Sequence, residues 1–159
     1  MSMPESLPKS NVEGVLYDAE VVHGLLPQKT PFAFVDEILE INEGDQPSIV
    51  AVWHVTGKEP FFAGHFPGNP VLPGVIQIES MAQAATLLTM IAKKAEVEGK
   101  RPAFAGVENC RFRAAVIPPQ DLTLKATLLM ARHGIYKYSG EIWQGEKLVC
   151  KADFSASMV

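Results

Sequence analysis

Two ionisable side chains stand out because each occupies a setting unusual for its type. Glu79 is the one charged residue in the 19-residue run 74–92, whose other members are apolar, small, amide or hydroxyl side chains. A buried carboxylate is costly unless it is paired or protonated. Glu79 is therefore either a structural carboxylate bridged to a cation or an acid available for catalysis. His65 lies in the loop Gly-His-Phe-Pro-Gly, among phenylalanines, and an imidazole can act as a base near neutral pH.

The start of the same run provides a third group that could take part in chemistry. Pro73 is a good first-turn residue, so Gly74 and Val75 are expected to present backbone N–H groups without intrahelical acceptors. Such a helix end can hold a carbonyl oxygen as negative charge builds up on it. Gln83 lies one turn after Glu79, where it either orients the carboxyl or a water, or satisfies buried backbone. A base, an acid and a polarising helix end suit proton abstraction beside a carbonyl with loss of a leaving group.

The pattern along the chain predicts the elements that hold these residues. Asp18 is expected to cap a short helix that stops before Pro27, and the run 74–92 reads as a long buried helix with a charged exit at 93–100. The remaining periodic segments read as strands, with turns at His133-Gly134 and at 144–147: 32–41, 49–55, 104–107, 110–116, 122–130, 135–143 and 148–155. Residues 60–74 contain too many prolines and glycines for regular structure. The prediction is an α+β fold with a curved antiparallel sheet wrapped around one helix.

Composition narrows the class of protein. The chain has 159 residues, 47% of them hydrophobic, a net charge of −4 and two cysteines. These values favour one soluble domain at 18–159 after a loose extension at 1–17, and they argue against a disulfide scaffold and a nucleic-acid partner. No secretory signal is recognisable, so a cytoplasmic location is expected. A membrane span is disfavoured, because Glu79 and two glutamines lie in the first half of the apolar run.

The run PFFAGHFPGNPVLPGVIQIESMAQAA, residues 60–85, resembles the signature of the 3-hydroxyacyl-[acyl-carrier-protein] dehydratases of the FabZ type. Similarity continues in LLPQKTPFAFVDEILEI before it and FAGVENCRFRAAVIPPQDLTL after it, so that about residues 25–156 are covered. The resemblance implies the hotdog fold, which agrees with the architecture predicted from periodicity.

The resemblance also implies how the site residues act. His65 would remove the C2 proton of an acyl thioester, Glu79 of a partner chain would protonate or bind the departing 3-hydroxyl, and the Gly74 N–H would hold the carbonyl. It implies a homodimer with composite sites, assembled in many relatives as a trimer of dimers. No metal and no organic cofactor is implied.

Further residues are candidates for binding the substrate. The acidic partner, acyl carrier protein, would need a local basic patch on this acidic chain. The candidates for it are Arg111, Arg113, Arg132 and Lys137, each of which could equally belong to a solvated strand face. Phe62 and Phe66 are candidates for the acyl tunnel, with the core as the alternative.

Some positions depart from the family pattern. Gln28 stands where many relatives have histidine, and Pro118-Pro119-Gln120 replaces a common Pro-Gly-Asp turn. These departures leave a specialised acyl pathway open. The alternatives to plain dehydration are a related thioesterase, a dehydratase–isomerase and an inactive acyl-binding homologue. Glutamate rather than aspartate at position 79 disfavours the isomerase, and the retention of both His65 and Glu79 disfavours the inactive homologue.

Overall fold

The computed structural model describes residues 6–159, so the first five residues of the extension lie outside the described part of the chain. Three α-helices and one 3-10 turn accompany six strands. The helices are α1 (Ala19–Leu25), α2 (Gly74–Ala92) and α3 (Lys94–Val97), and the 3-10 turn is Pro60–Ala63. The strands are β1 (Glu37–Asn42), β2 (Ser48–Val55), β3 (Pro102–Phe112), β4 (Gln120–Arg132), β5 (Ile135–Gln144) and β6 (Lys147–Met158).

All six strands form one antiparallel sheet in the order β1-β2-β4-β5-β6-β3. The last three strands in sequence are joined by the two hairpins predicted from their turn residues. His133 and Gly134 both have positive φ, 54° and 77°, and Gly145 has a φ of 61°, as tight hairpin turns require. In this strand order the two edge strands of the sheet are β1 and β3.

Helix α2 packs against β4, with β2 and β5 on either side. Its middle is buried on nearly every face, from Ser80 to Thr89. At Gly140 of β5 the approach is so close that a Cβ would lie 2.9 Å from the Phe154 ring and 3.0 Å from the Met81 sulfur. In length and mean hydropathy α2 could cross a membrane, but this packing accounts for its apolar character as a core helix. A long helix inside a curved antiparallel sheet is the hotdog fold, and that prediction is confirmed.

The first predicted strand is shorter than its apolar run. Residues 32–36 remain outside β1, and in the middle of this segment α2 takes both backbone hydrogen bonds of Phe34. The Phe34 N–H donates to Gln83 Oε1 at 2.7 Å, and the Phe34 carbonyl accepts from Ser80 Oγ at 2.8 Å. Sequence periodicity could not distinguish this extended segment from a strand, since the partner side chains lie far away in the chain.

The two strands predicted at 104–107 and 110–116 are one strand, β3, which ends at Phe112. Its register shifts twice, between Phe104 and Gly106 and between Glu108 and Arg111. Asn109 has a φ of 52°. Bulges of this kind break the two-residue period locally, which is why the pattern looked like two strands.

The N-terminal segment is partly tied to the sheet. Tyr17 forms an isolated bridge with Ile38 of β1, and the Leu16 N–H donates to the Ile38 carbonyl at 2.9 Å. The predicted cap of α1 is present, because Asp18 accepts from the Val21 N–H at 3.2 Å. The predicted charged exit of α2 contains the separate turn α3.

Candidate active site

The His65 ring is held by the loop that leads into α2. Its Nδ1 lies 2.8 Å from the Val71 carbonyl oxygen, and the Val71 N–H donates back to the His65 carbonyl at 3.0 Å. Since a carbonyl only accepts, Nδ1 carries the proton and the lone pair of the neutral ring is on Nε2. The Phe66 ring stacks on the imidazole, with centroids 4.0 Å apart. The imidazole is therefore held in one orientation, with the Nε2 lone pair left free by the contact with Val71.

The first turn of α2 lies beside the imidazole. The Ile76 and Gln77 N–H groups donate to the Pro73 carbonyl, both at 3.1 Å. The N–H groups of Gly74 and Val75 come before these bonds and have no acceptor in the helix. An open groove of about 630 Å³ runs along this turn, and His65 and Gly74 both line it. The helix end is thus placed to polarise a group that also reaches His65.

Phe112, at the end of β3, covers one side of the same turn. A Cβ on residue 74 would lie 2.9 Å from its ring. Glycine is favoured here by this contact rather than by a positive φ. The sequence analysis did not identify Phe112; the available signal was its place in the Arg-Phe-Arg segment of an edge strand.

Glu79 is partly buried, and burial raises the pKa of its carboxyl, while a hydrogen bond from Gln83 opposes that shift. Gln83 Nε2 donates to Glu79 Oε2 at 2.9 Å. Within residues 6–159 the carboxyl has no cationic partner. The structure therefore does not support the alternative of a carboxylate bridged to a structural cation. Burial instead shifts the ionisation of this carboxyl toward the neutral form, relative to an exposed glutamate.

Gln83 is fully buried and links Glu79 to the segment before β1. Its Oε1 accepts from the Phe34 N–H at 2.7 Å, and its Nε2 also donates to the Phe32 carbonyl at 2.9 Å. The two alternatives left open from the sequence thus both apply: the amide satisfies buried backbone and holds Glu79. Because the amide oxygen and the amide nitrogen of Gln83 are both hydrogen-bonded, Gln83 gives the Glu79 carboxyl a defined position.

Within one chain His65 and Glu79 line different cavities. His65 lies on the groove at the start of α2. Glu79 lines a cavity of about 50 Å³ between α2 and the β3 side of the sheet, together with Phe104 and Gln28. A single subunit does not bring the base and the acid to one cavity.

The other candidate residues fall into separate places. Phe62 is 5% exposed and packs on Phe61 in the core, whereas Phe66 is 50% exposed beside His65. Arg113 lines the His65 groove and Arg111 is exposed two residues before it. Arg132 and Lys137 flank the β4–β5 turn. Among residues 6–159, no three or more His, Cys, Asp or Glu side chains are arranged to hold a metal ion.

The fold defines the class to which the molecule belongs, the hotdog proteins. A dehydratase heterocomplex, ApeI:P from Xenorhabdus doucetiae, superposes with a TM-score of 0.74 at 20% identity, covering 87% of this chain and 90% of that one. A mutant thioesterase from Pseudomonas aeruginosa gives a TM-score of 0.63 at 13% identity, covering 97% and 99%. At such identities the likeness concerns the fold alone.

Sequence comparison is more specific. The model of the FabA-like domain family matches residues 26–153. A 3-hydroxyacyl-[acyl-carrier-protein] dehydratase FabZ from Alkaliphilus metalliredigens is 38% identical over 138 residues, covering 87% of this chain and 91% of the relative. The protein of the same name from Coxiella burnetii is 44% identical over 131 residues, covering 80% and 89%. The chain belongs to the FabA-like family, and the resemblance to its FabZ-type dehydratases is confirmed.

Proposed function

We propose that the chain is a hydro-lyase that converts a 3-hydroxyacyl thioester on acyl carrier protein to the trans-2-enoyl thioester. The observation that carries this proposal is the way in which two side chains of complementary chemistry are held, His65 by Val71 and Glu79 by Gln83. His65 is fixed as the tautomer with a free Nε2 lone pair, and burial shifts the ionisation of Glu79 toward the neutral form. Elimination of water needs a base for the C2 proton and an acid for the leaving hydroxyl. The relatives named above support the same reaction.

In this mechanism the thioester carbonyl lies at the start of α2, where the N–H groups of Gly74 and Val75 stabilise the negative charge that develops on it. His65 Nε2 takes the C2 proton, and the electron pair forms the C2–C3 double bond. The C3–O bond breaks as Glu79 transfers its proton to the hydroxyl oxygen, which leaves as water. One proton is taken and one is given, so no redox partner enters the step.

A second chain would complete the site. His65 and Glu79 line separate cavities in one subunit, and the edge strand β3 runs past both. Phe104, Val107 and Phe112 of β3 are 47%, 42% and 49% exposed. Pairing of two β3 edges would bury these side chains and continue the sheet. We therefore favour a homodimer in which each site takes His65 from one chain and Glu79 from its partner, with a trimer of dimers as the larger assembly.

The carrier protein would approach near the His65 groove. Arg111 and Arg113 lie at that end of β3, and a cationic pair attracts an acidic partner despite the net charge of −4. Lys137 aligns through β6 with Gly106, five residues from Arg111, which is roughly 16 Å along the strand. The two arginines are thus better placed than Lys137 and Arg132. We place this reaction in the cytoplasm, in fatty-acid or related acyl-chain synthesis.

The test is a hydration–dehydration assay that follows the absorbance of the conjugated enoyl thioester. Wild type and His65→Ala are compared on a carrier-linked substrate and on a small thioester mimic. We expect interconversion by wild type and at least about a 100-fold loss in the variant, the usual contribution of a general base. Substantial activity in His65→Ala would refute its role as base. If wild type hydrolyses the thioester instead, the thioesterase alternative replaces the proposal.

A further inference from the structure

The cavity of about 50 Å³ beside Glu79 has mainly apolar walls. Ala82 and Ala156 contribute to it from α2 and β6, and the rings of Phe104 and Phe154 close its sides. Polar groups reach it at few points, of which Glu79 and Gln28 are two. In a small, mainly apolar cavity each polar atom on the wall carries weight, because hydrogen bonds there are weakened less by bulk solvent than those on an open surface.

Gln28 has an unmet hydrogen-bonding need in this region. Its Oε1 is buried and has no donor within residues 6–159. Native proteins rarely leave a buried acceptor unpaired, so each instance calls for a physical explanation. An amide oxygen can only accept, and because Gln28 lines the cavity, a molecule held there can supply the missing donor.

Glu79, in its neutral form, has a donor that lacks an acceptor. Gln83 occupies its Oε2, and the other oxygen carries the proton in the neutral form that burial favours. That O–H requires an acceptor. Neither hydroxyl on the wall is hydrogen-bonded to Glu79, since Thr86 Oγ1 donates to the Ala82 carbonyl at 2.9 Å and Tyr138 pairs with Thr89. A water between the two residues would accept from Glu79 and donate to Gln28, and a cavity of this size is large enough for one.

We propose that Gln28 is a positioning residue, and that the cavity between Gln28 and Glu79 is the site of the water molecule eliminated in the reaction. This inference rests on the proposed function. When the C3–O bond breaks, the hydroxyl oxygen takes the Glu79 proton and becomes water. One of its hydrogens is donated to Gln28 Oε1 and the other to the Glu79 carboxylate. In the hydration direction the same two acceptors hold the water with its oxygen lone pair directed at C3.

The test compares Gln28→Met, which keeps the length of the side chain but removes the acceptor, with Gln28→Glu. Gln144→Met is the matched control, because Gln144 also has a buried, unpaired Oε1 but lies at the end of β5. Loss of the acceptor should lower kcat about tenfold, equivalent to one hydrogen bond in the transition state. The control should retain wild-type kinetics.

The pH–rate profile separates positioning from a structural effect. The reaction needs protonated Glu79, so activity falls as pH rises through its pKa. Gln28→Met removes the acceptor that stabilises the protonated form, and the alkaline limb should move to lower pH. Gln28→Glu places a second carboxylate nearby, which disfavours ionisation of Glu79, and the limb should move to higher pH. An unchanged limb in both variants would overturn the inference.

A second readout does not depend on turnover. The Glu79 pKa can be followed by NMR of the protein labelled with ¹³C at glutamate carboxyls, with Glu79→Gln used to assign the signal. We expect the pKa to decrease in Gln28→Met, to increase in Gln28→Glu and to stay constant in Gln144→Met. If wild type proves inactive, the proposed function fails, but this titration still tests the contact. Equal pKa values in all four proteins would refute it.

Discussion

At the scale of single residues, the candidate site depends on how two ordinary side chains are held. The Val71 carbonyl fixes the tautomer of His65, and Gln83 fixes one oxygen of Glu79. Neither ring nor carboxyl needs an unusual environment beyond these bonds and partial burial. Small changes at the contacts should therefore alter the chemistry without unfolding the chain.

Replacing Glu79 by Gln should abolish turnover with little change in stability. The amide keeps an oxygen for Gln83 and lacks the proton that elimination needs, so we expect a loss of about 100-fold or more. Because burial raises the pKa of the native carboxyl, ionisation lowers wild-type stability as pH rises above the unfolded-state pKa. The variant should gain stability relative to wild type as pH rises above the unfolded-state pKa of glutamate, measured by thermal unfolding. A large drop in Tm with activity retained would instead indicate a structural role.

Gly74→Ala should disturb the helix start through Phe112. The added Cβ would lie 2.9 Å from the ring, so the ring or the helix must shift, at a cost of about 1–3 kcal/mol. Chemical denaturation measures that cost, and the enoyl assay measures the effect on activity. Gly64→Ala is the control, since its Cβ would meet nothing within 4 Å. Equal stability of the two variants would contradict the contact.

At the scale of elements, the structure shows side chains linking neighbouring strands on the outer face of the sheet. His54 of β2 lies between Glu37 of β1 and Asp121 of β4, with its ring nitrogens 2.7 and 2.6 Å from their carboxylates. Burial lowers the pKa of His54, but the hydrogen bonds to Asp121 and Glu37 outweigh it, and the pKa is raised overall. The histidine joins three strands most strongly when it is protonated.

The contribution of His54 to stability should depend on pH. A raised folded-state pKa means that the contribution is fully present below the unfolded-state value and is lost as pH rises through the folded value. His54 and Asp121 side chains are 47% and 79% exposed, so solvent limits the effect to about 0.2–1 kcal/mol. The difference in Tm between wild type and His54→Gln should be larger at pH 6 than at pH 9.

At the scale of the whole molecule, β3 is an edge strand with several exposed apolar side chains. It is bonded to β6 on one side only, and it carries exposed phenylalanines toward the groove and the Glu79 cavity. An exposed apolar edge invites association with another strand. The separation of His65 and Glu79 in one chain gives this edge a functional consequence, because the same association would unite them.

Mixing the two inactive variants should restore activity if the site is composite. A dimer of one His65→Ala chain and one Glu79→Gln chain contains one site with both native residues. With random pairing, half of the dimers are mixed and activity should recover to about a quarter of wild type. The control is His65→Ala mixed with the double variant, which has no native pair in any dimer. Absence of recovery despite demonstrated subunit exchange would argue against shared sites.

The sequence by itself determined the order and type of most elements. The buried helix at Gly74–Ala92, the two hairpins and the Asp18 cap follow from patterns within a few residues of one another. His65 and Glu79 could be identified for the same reason, since each is an ionisable side chain among mainly apolar or small neighbours in the sequence. The FabZ-type motif lies within one continuous run.

Only the tertiary structure decided how distant groups meet. Phe34 pairs with Gln83, 49 positions away, which shortens the first strand. Phe112 covers Gly74, and Gln28 shares a cavity with Glu79. These contacts join segments that are far apart in the sequence, and the local pattern of one segment does not predict its contact with the other. Periodicity reports which face of an element is buried, whereas the partner of a buried polar atom depends on how whole elements pack.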